Sequence, residues 1–177
     1  MFINLFKNIN FIYLICFCAL GVSCNLKTNE KKSVNPSQLN QNISDKFNSN
    51  YQNYNQKIVF INKLNQKIAN FNIAIADNSE KQATGLMYLK SLPNNLGMLF
   101  IKDQPQIFSM WMKNTYIPLD MIFLDKDFII TKIHHNAQPL SLEIISSNHQ
   151  SLAVLEINGG LAKKFQLKIG DSLKFIN

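Results

Sequence analysis

The chain has 177 residues, 18 basic against 11 acidic side chains, 46% apolar content and only 16% charged residues. That balance describes one domain with appendages and excludes collagen-like and wholly disordered chains. All 18 basic residues are Lys and 24 residues are Asn, the mark of AT-rich codons rather than of a chain too charged to fold. No run approaches the 18 or more apolar residues of a membrane span, so membrane attachment would come from an end or a surface.

Cys16, Cys18 and Cys24 lie inside or beside the apolar run Phe11 to Gly21. A short start carrying Lys7, that run and the small residues Gly21-Val22-Ser23 have the layout of a secretory signal over 1–23. The mature chain then keeps only Cys24, which excludes an intrachain disulfide framework. Leu20-Gly21-Val22-Ser23-Cys24 resembles a bacterial lipoprotein box, which implies a diacylglycerol thioether on Cys24. Gly21 stands where a Leu is typical, and ordinary cleavage after Ser23 is the alternative. The expected address is the cell envelope, anchored to the membrane by an N-terminal lipid on the periplasmic side; the alternative is a secreted or soluble periplasmic protein. Residues 24–56 are dominated by Asn, Gln, Ser and Lys, too poor in apolar side chains to bury an ordered element, and are expected to be a tether.

The domain is expected over 57–177, where 13 Lys face 9 Asp and Glu without forming a basic stripe, so nucleic acid is not an expected partner. Ile58 to Ile61 and Ile68 to Ala76 read as strands, the second turning Phe71, Ile73 and Ile75 to one face. Asp77 and Glu80 have capping-box spacing, which predicts a helix from about Ser79 to Leu89 that Gly85 weakens. Pro93-Asn94-Asn95 is a turn, Met98 to Ile101 a strand, and Pro105 breaks the chain before a strand from Ile107 to Met112. Leu119 to Leu124 and Phe128 to His134 follow as strands around the polar tip Asp125-Lys126-Asp127. Ser151 to Ile157 is a strand, Gly160 to Leu167 a short helix, and Ile169-Gly170-Asp171 a turn into the strand Ser172 to Ile176. The predicted fold class is α+β: a mainly antiparallel, barrel-like β domain with two short helices, in which 107–112 and 119–124 are apolar on both faces.

Gly85-Leu86-Met87, Gly97-Met98-Leu99-Phe100, the run from Trp111 to Phe123 (WMKNTYIPLDMIF), Val154-Leu155-Glu156 and Gly170-Asp171 together resemble the signature blocks of the domain of unknown function 192 family. The resemblance covers about 57–177 and implies a compact β-rich fold, often exported, with no established activity. One departure is Glu80-Lys81, where the family carries an acidic residue followed by Arg; a Lys cannot fork onto a carboxylate.

The central block offers the leading site. Lys113, Asn114 and Thr115 end one apolar strand and Asp120 starts the next, with Trp111 as an aromatic wall, so these five are the candidate ligand-binding residues. Asp120 shares its strand face with Ile122 and Leu124 and needs a partner, for which Lys113 or the amides of the 113–118 turn are expected. Its plainer reading is a buried acid that satisfies turn amides, and that reading is preferred. Glu156 is a second acid in an apolar strand. Asp120 with Glu156 are the catalytic candidates, an acid and base pair for an envelope glycan. No Ser or Cys stands in a nucleophile elbow. Met87, Met98, Met110, Met112 and Met121 raise a copper(I) reading, with Met110 and Met112 sharing a strand face and His134 and His135 pointing apart; core filling is the preferred account, and no metal or cofactor is implied. The reading that follows is an exported, lipid-anchored envelope protein carrying a ligand-binding or accessory module for a small molecule or glycan. A glycan-acting enzyme and a copper-handling protein are the alternatives.

Overall fold

The computed structural model describes residues 53–176. The secretory layout of 1–23, Cys24 and most of the expected tether lie outside the described residues. The elements in chain order are β1 (Gln56–Ile61), β2 (Lys67–Ala76), α1 (Ser79–Thr84), β3 (Leu96–Met110), β4 (Leu119–Leu124), β5 (Ile130–Ala137), β6 (Ile145–Asn158), α2 (Leu161–Lys164) and β7 (Ser172–Ile176). No helix among them is long and apolar enough to cross a membrane.

The strands form one sheet in the order β5-β4-β6-β3-β2-β1-β7. Every neighbouring pair is antiparallel except β2 and β3, which run parallel. A parallel neighbour needs a crossover, and the segment holding α1 supplies it. The sheet curls into a half-barrel, and at one end its two edges touch: Ile129 bridges Ser172, and the Ile130 amide donates to the Asp171 carbonyl at 2.8 Å. The α+β, barrel-like class expected from the pattern is the fold observed.

Curling gives the sheet two covered faces. One carries Phe60, Phe71, Ile73, Leu99, Ile122 and Leu155, closed by Leu161 and Ala162 of α2. The other carries Phe100, Met121, Phe123 and Val154, closed by Leu86, Leu92, Phe108 and Met112. All six residues of β4 are buried, which is why its sequence shows no alternation. In β2 the alternation of Phe71 and Ile73 holds until Ala74 and Ala76, which are buried on the far side.

Four expectations need correction. The helix α1 ends at Thr84, five residues short of the expected Leu89, because Gly85 takes φ +48° and a Cβ there would stand 3.0 Å from the Phe100 ring. Its cap is Asn78 rather than Asp77: the Asn78 side chain accepts from the Lys81 amide at 2.9 Å, while Asp77 pairs with the Lys81 ammonium at 2.8 Å. The chain does not break at Pro105. Strand β3 runs through it, and the register against β6 jumps from Ile101↔Ala153 to Gln106↔Ser151, so proline sits in a bulge where no ladder donor is required. The 107–112 stretch is also not apolar on both faces in space: Phe108 and Met112 are buried, whereas Ile107 and Trp111 are 60% and 45% exposed.

Candidate functional site

Strand register decides where the two candidate acids go. Along β4 and β6 the cross-strand partners are Asp120↔Ile157 and Met121↔Glu156. Directly opposed residues share a face and successive residues alternate, so Glu156 lies with Met121 and Asp120 lies on the other side. The acid and base pairing of Asp120 with Glu156 is therefore overturned.

Asp120 is fully buried and satisfied by the backbone. One carboxylate oxygen accepts from the Asn136 amide at 2.8 Å, the other from the Ala162 amide at 2.7 Å. The donors are thus the end of β5 and the first turn of α2, not Lys113 or the 113–118 turn. Asp120 does not reach the other members of its block.

Those members divide. Lys113 lies against Trp111, its ammonium 5.1 Å from the ring centroid. Asn114 adopts φ +55° and clasps Tyr88, donating to its hydroxyl at 2.8 Å and accepting from its amide at 2.8 Å. Tyr88 in turn meets Tyr116 edge to face at 6.3 Å. Thr115 is buried, and its hydroxyl donates to the Lys113 carbonyl at 3.2 Å.

Thr115 and Trp111 do line a cavity of about 300 Å³, and Glu156 lines it with them. The walls come from Gly85, Leu86 and Met87 after α1 and from Phe100, Phe108 and Met110 of β3. Gln82 and Lys102 are also lining residues. The Gln82 amide nitrogen donates to the Ala76 and Ile101 carbonyls at 3.0 Å each, and its oxygen accepts the Lys102 ammonium at 2.5 Å.

Glu156 is the unusual group. It is 4% exposed, and among the described residues no donor or cation partners its carboxyl. Its ladder neighbours are the thioethers Met98 and Met121. Burial in these uncharged surroundings raises its pKa from the ordinary 4.5 to about 8, so at neutral pH the group is mostly the neutral acid.

Met112 is closed in the core and Met110 is part of the cavity wall, so the two thioethers expected on one face divide between those places. Among the described residues, no three His, Cys, Asp or Glu side chains gather as a metal site. Sequence reasoning named Glu156, Trp111 and Thr115 but missed Gln82, Lys102 and Phe108 as cavity residues. Gly85-Leu86-Met87 and Phe100 belong to blocks of the resemblance, and residues from four of those blocks line this one cavity.

The family model described as Uncharacterized ACR, domain of unknown function 192, matches residues 60–175. A protein from Sinorhizobium meliloti 1021, described as a candidate transcription regulator, is 35% identical with a TM-score of 0.66 over 68% of this chain and 92% of its own. A protein of unknown function from Novosphingobium aromaticivorans DSM 12444 is 36% identical with a TM-score of 0.63 over 67% of this chain and 83% of its own. No curated protein matches the chain. With the family pattern running from β1 to β7 and its blocks converging on the Glu156 cavity, the chain belongs to the domain of unknown function 192 family.

Proposed function

We propose that this chain is an exported, lipid-anchored envelope protein whose domain binds a small ligand in the cavity above Glu156. The observation that carries the binding reading is Glu156 itself. Glu156 is 4% exposed as a residue, its carboxyl makes no hydrogen bond or ion pair to another described residue, and it borders a cavity large enough for a small molecule, so a bound group there would find an uncommitted carboxyl. The lining sets the apolar Leu86, Phe100 and Phe108 beside polar side chains, Thr84, Gln106 and Ser109 among them, and polar groups at fixed places are what orient a bound molecule. The address is supported by the secretory layout of 1–23 and the Cys24 box. Regulation of transcription, the description given to the Sinorhizobium relative, is not carried over, because the domain's 13 Lys and 9 acidic residues form no basic stripe.

The binding test is a fragment screen followed by Trp111 fluorescence and by the methyl signals of Met87 and Met110, all cavity residues. Trp111 is the one tryptophan of the chain, so its emission reports this site alone. Binders are expected to move all three signals, and binders that leave them unchanged would show that the cavity is not the site. For the anchor, fatty-acid labelling is expected in the parent and absent in Cys24→Ala; equal labelling of the two would replace lipidation by simple secretion.

A further inference from the structure

A second concavity, a groove of about 780 Å³, shares Thr84, Gly85, Leu86 and Met87 with the Glu156 cavity as a common wall. Its apolar lining is left half-open: Ile75, Leu89, Met98 and Ile101 are only partly buried, and Phe175 is 44% exposed. A contiguous apolar lining of this kind marks an interaction surface. The chain enters the described domain along the groove itself, since Asn53, Tyr54, Asn55 and Gln56 line it. Whatever precedes Asn53 in sequence therefore starts at the mouth of the groove. The start of α1 gives the groove a polar rim on which Lys81 is taken by Asp77, while Glu80 forms no ion pair among the described residues.

The sequence upstream carries a matching pattern. Between Asn35 and Asn53 the aliphatic and aromatic side chains are Leu39, Ile43, Phe47 and Tyr51, each four residues after the last, and every residue between them is Asn, Gln, Ser, Asp or Lys. Spacing of four stacks them along one side of a helix, with Lys46 flanking the stripe and Asp45 on the opposite side. Asn35-Pro36 is a helix start, Asn as the cap and Pro at the first helical position. A helix so rich in Asn and Ser does not hold in water alone, so its stripe needs a surface. We infer that residues 36–52 dock in this groove as an amphipathic helix, laying Ile43, Phe47 and Tyr51 on Ile75, Leu89, Met98, Ile101 and Phe175, with Lys46 toward the Glu80 side of the rim. Tyr51 is two residues from Asn53, within about 7 Å of it however the chain runs, so the contact is intramolecular at high effective concentration. Docked there, the segment backs the Thr84 to Met87 wall of the Glu156 cavity. The docking is local and reversible: the segment opens well before the domain unfolds, so a protease trims it and the urea midpoint does not register it.

The test is hydrogen exchange on the full-length protein together with the methyl signal of Met98, which lines the groove and not the Glu156 cavity. Amides from Ile43 to Tyr51 are expected to exchange at least about tenfold more slowly than in a free peptide of residues 36–52, at any protein concentration. Phe47→Ser combined with Tyr51→Ser removes the centre of the stripe, and Asp45→Pro breaks the helix on its outer side. Each should return exchange to the peptide rate and shift the Met98 signal, whereas Asn48→Ser, off the stripe, should change neither. All these substitutions fall upstream of β1, so an unchanged urea midpoint separates release of the segment from loss of the fold. Peptide-like exchange in the parent, or a Met98 signal that ignores the stripe and proline variants, overturns the docking. Protection that survives Asp45→Pro overturns the helix, and protection that grows with protein concentration puts a second copy in the groove and overturns the intramolecular assignment.

Discussion

The carboxylate of Asp120 accepts the backbone amide of Ala162 at 2.7 Å, and through that bond strand β4 holds the first turn of α2. The second oxygen holds Asn136 near the end of β5, so one buried side chain fastens two elements that follow it in sequence. In Asp120→Asn the carboxamide keeps one acceptor oxygen and turns an NH2 group toward the other amide, leaving two donors facing each other in a dry site. A hydrogen bond to a buried charge is worth about 1.5–3 kcal/mol, and the unpaired amide adds to the loss, so a destabilisation on the order of 3 kcal/mol is expected by urea unfolding. A variant as stable as the parent would mean that these two bonds do not hold α2.

Glu156 should make stability fall as pH rises. Its folded pKa of about 8 lies above the ordinary 4.5, so between those values the folded state binds the proton and the unfolded state does not. The penalty is absent below about pH 4.5, grows through the window and is complete above about pH 8, where it is on the order of 4 kcal/mol. Glu156→Gln removes the titration and is expected to be the more stable protein at pH 9 while matching the parent near pH 5. Urea midpoints across that range check this; parallel curves for the two proteins would show that Glu156 keeps an ordinary pKa.

What the sequence could reveal depended on how local the cause was. Alternation in β2 and the polar tip between β4 and β5 are encoded within a few residues, and both were legible, as was the two-faced burial of β4 from the apolar run Met121 to Leu124. The parallel β2–β3 pairing was not, because nothing in either strand says that the intervening segment crosses the sheet. Asp120 could be read as a buried acid in need of donors, yet its donors lie 16 and 42 residues away, and only the closed fold brings them in. Glu156 could be read as a buried acid too. Whether it joined Asp120 or faced away hinged on a register of one residue, and a one-residue change in pairing moves a side chain to the opposite face. The cavity drew its walls from α1, β3 and β6, which no local pattern connects.

Gly85 ties the end of α1 to the cavity wall. Its φ of +48° disfavours any side chain, and a Cβ would meet the Phe100 ring at 3.0 Å, tighter than ordinary contact. Gly85→Ala is expected to cost about 1–3 kcal/mol, since it combines backbone strain with displacement of a packed ring. Phe100 also lines the cavity, so the same substitution should move the Trp111 and Met110 signals that report ligand binding. Unchanged stability together with unchanged signals would mean that the α1 terminus relaxes freely and does not shape the cavity.

The domain should begin slightly earlier than the composition of the chain suggests. The switch from polar to apolar pattern falls at Lys57, but Tyr54 is partly buried and packs against the cluster that holds Phe100 and Met121. Limited proteolysis is therefore expected to stop at or before Asn53, because the Asn-rich stretch upstream offers few apolar side chains to bury, whereas Tyr54 anchors the approach to β1. A truncated chain starting at Asn53 should unfold at the same urea concentration as the full-length protein. One starting at Gln56 keeps every strand but lacks the tyrosine, and burying part of an aromatic side chain is worth about 1–2 kcal/mol, so its midpoint should drop. Equal midpoints for the two truncations would show that Tyr54 contributes nothing to the fold and that the boundary belongs at Lys57, while protection of the segment around Asn40 would show that the polar stretch itself packs on the domain.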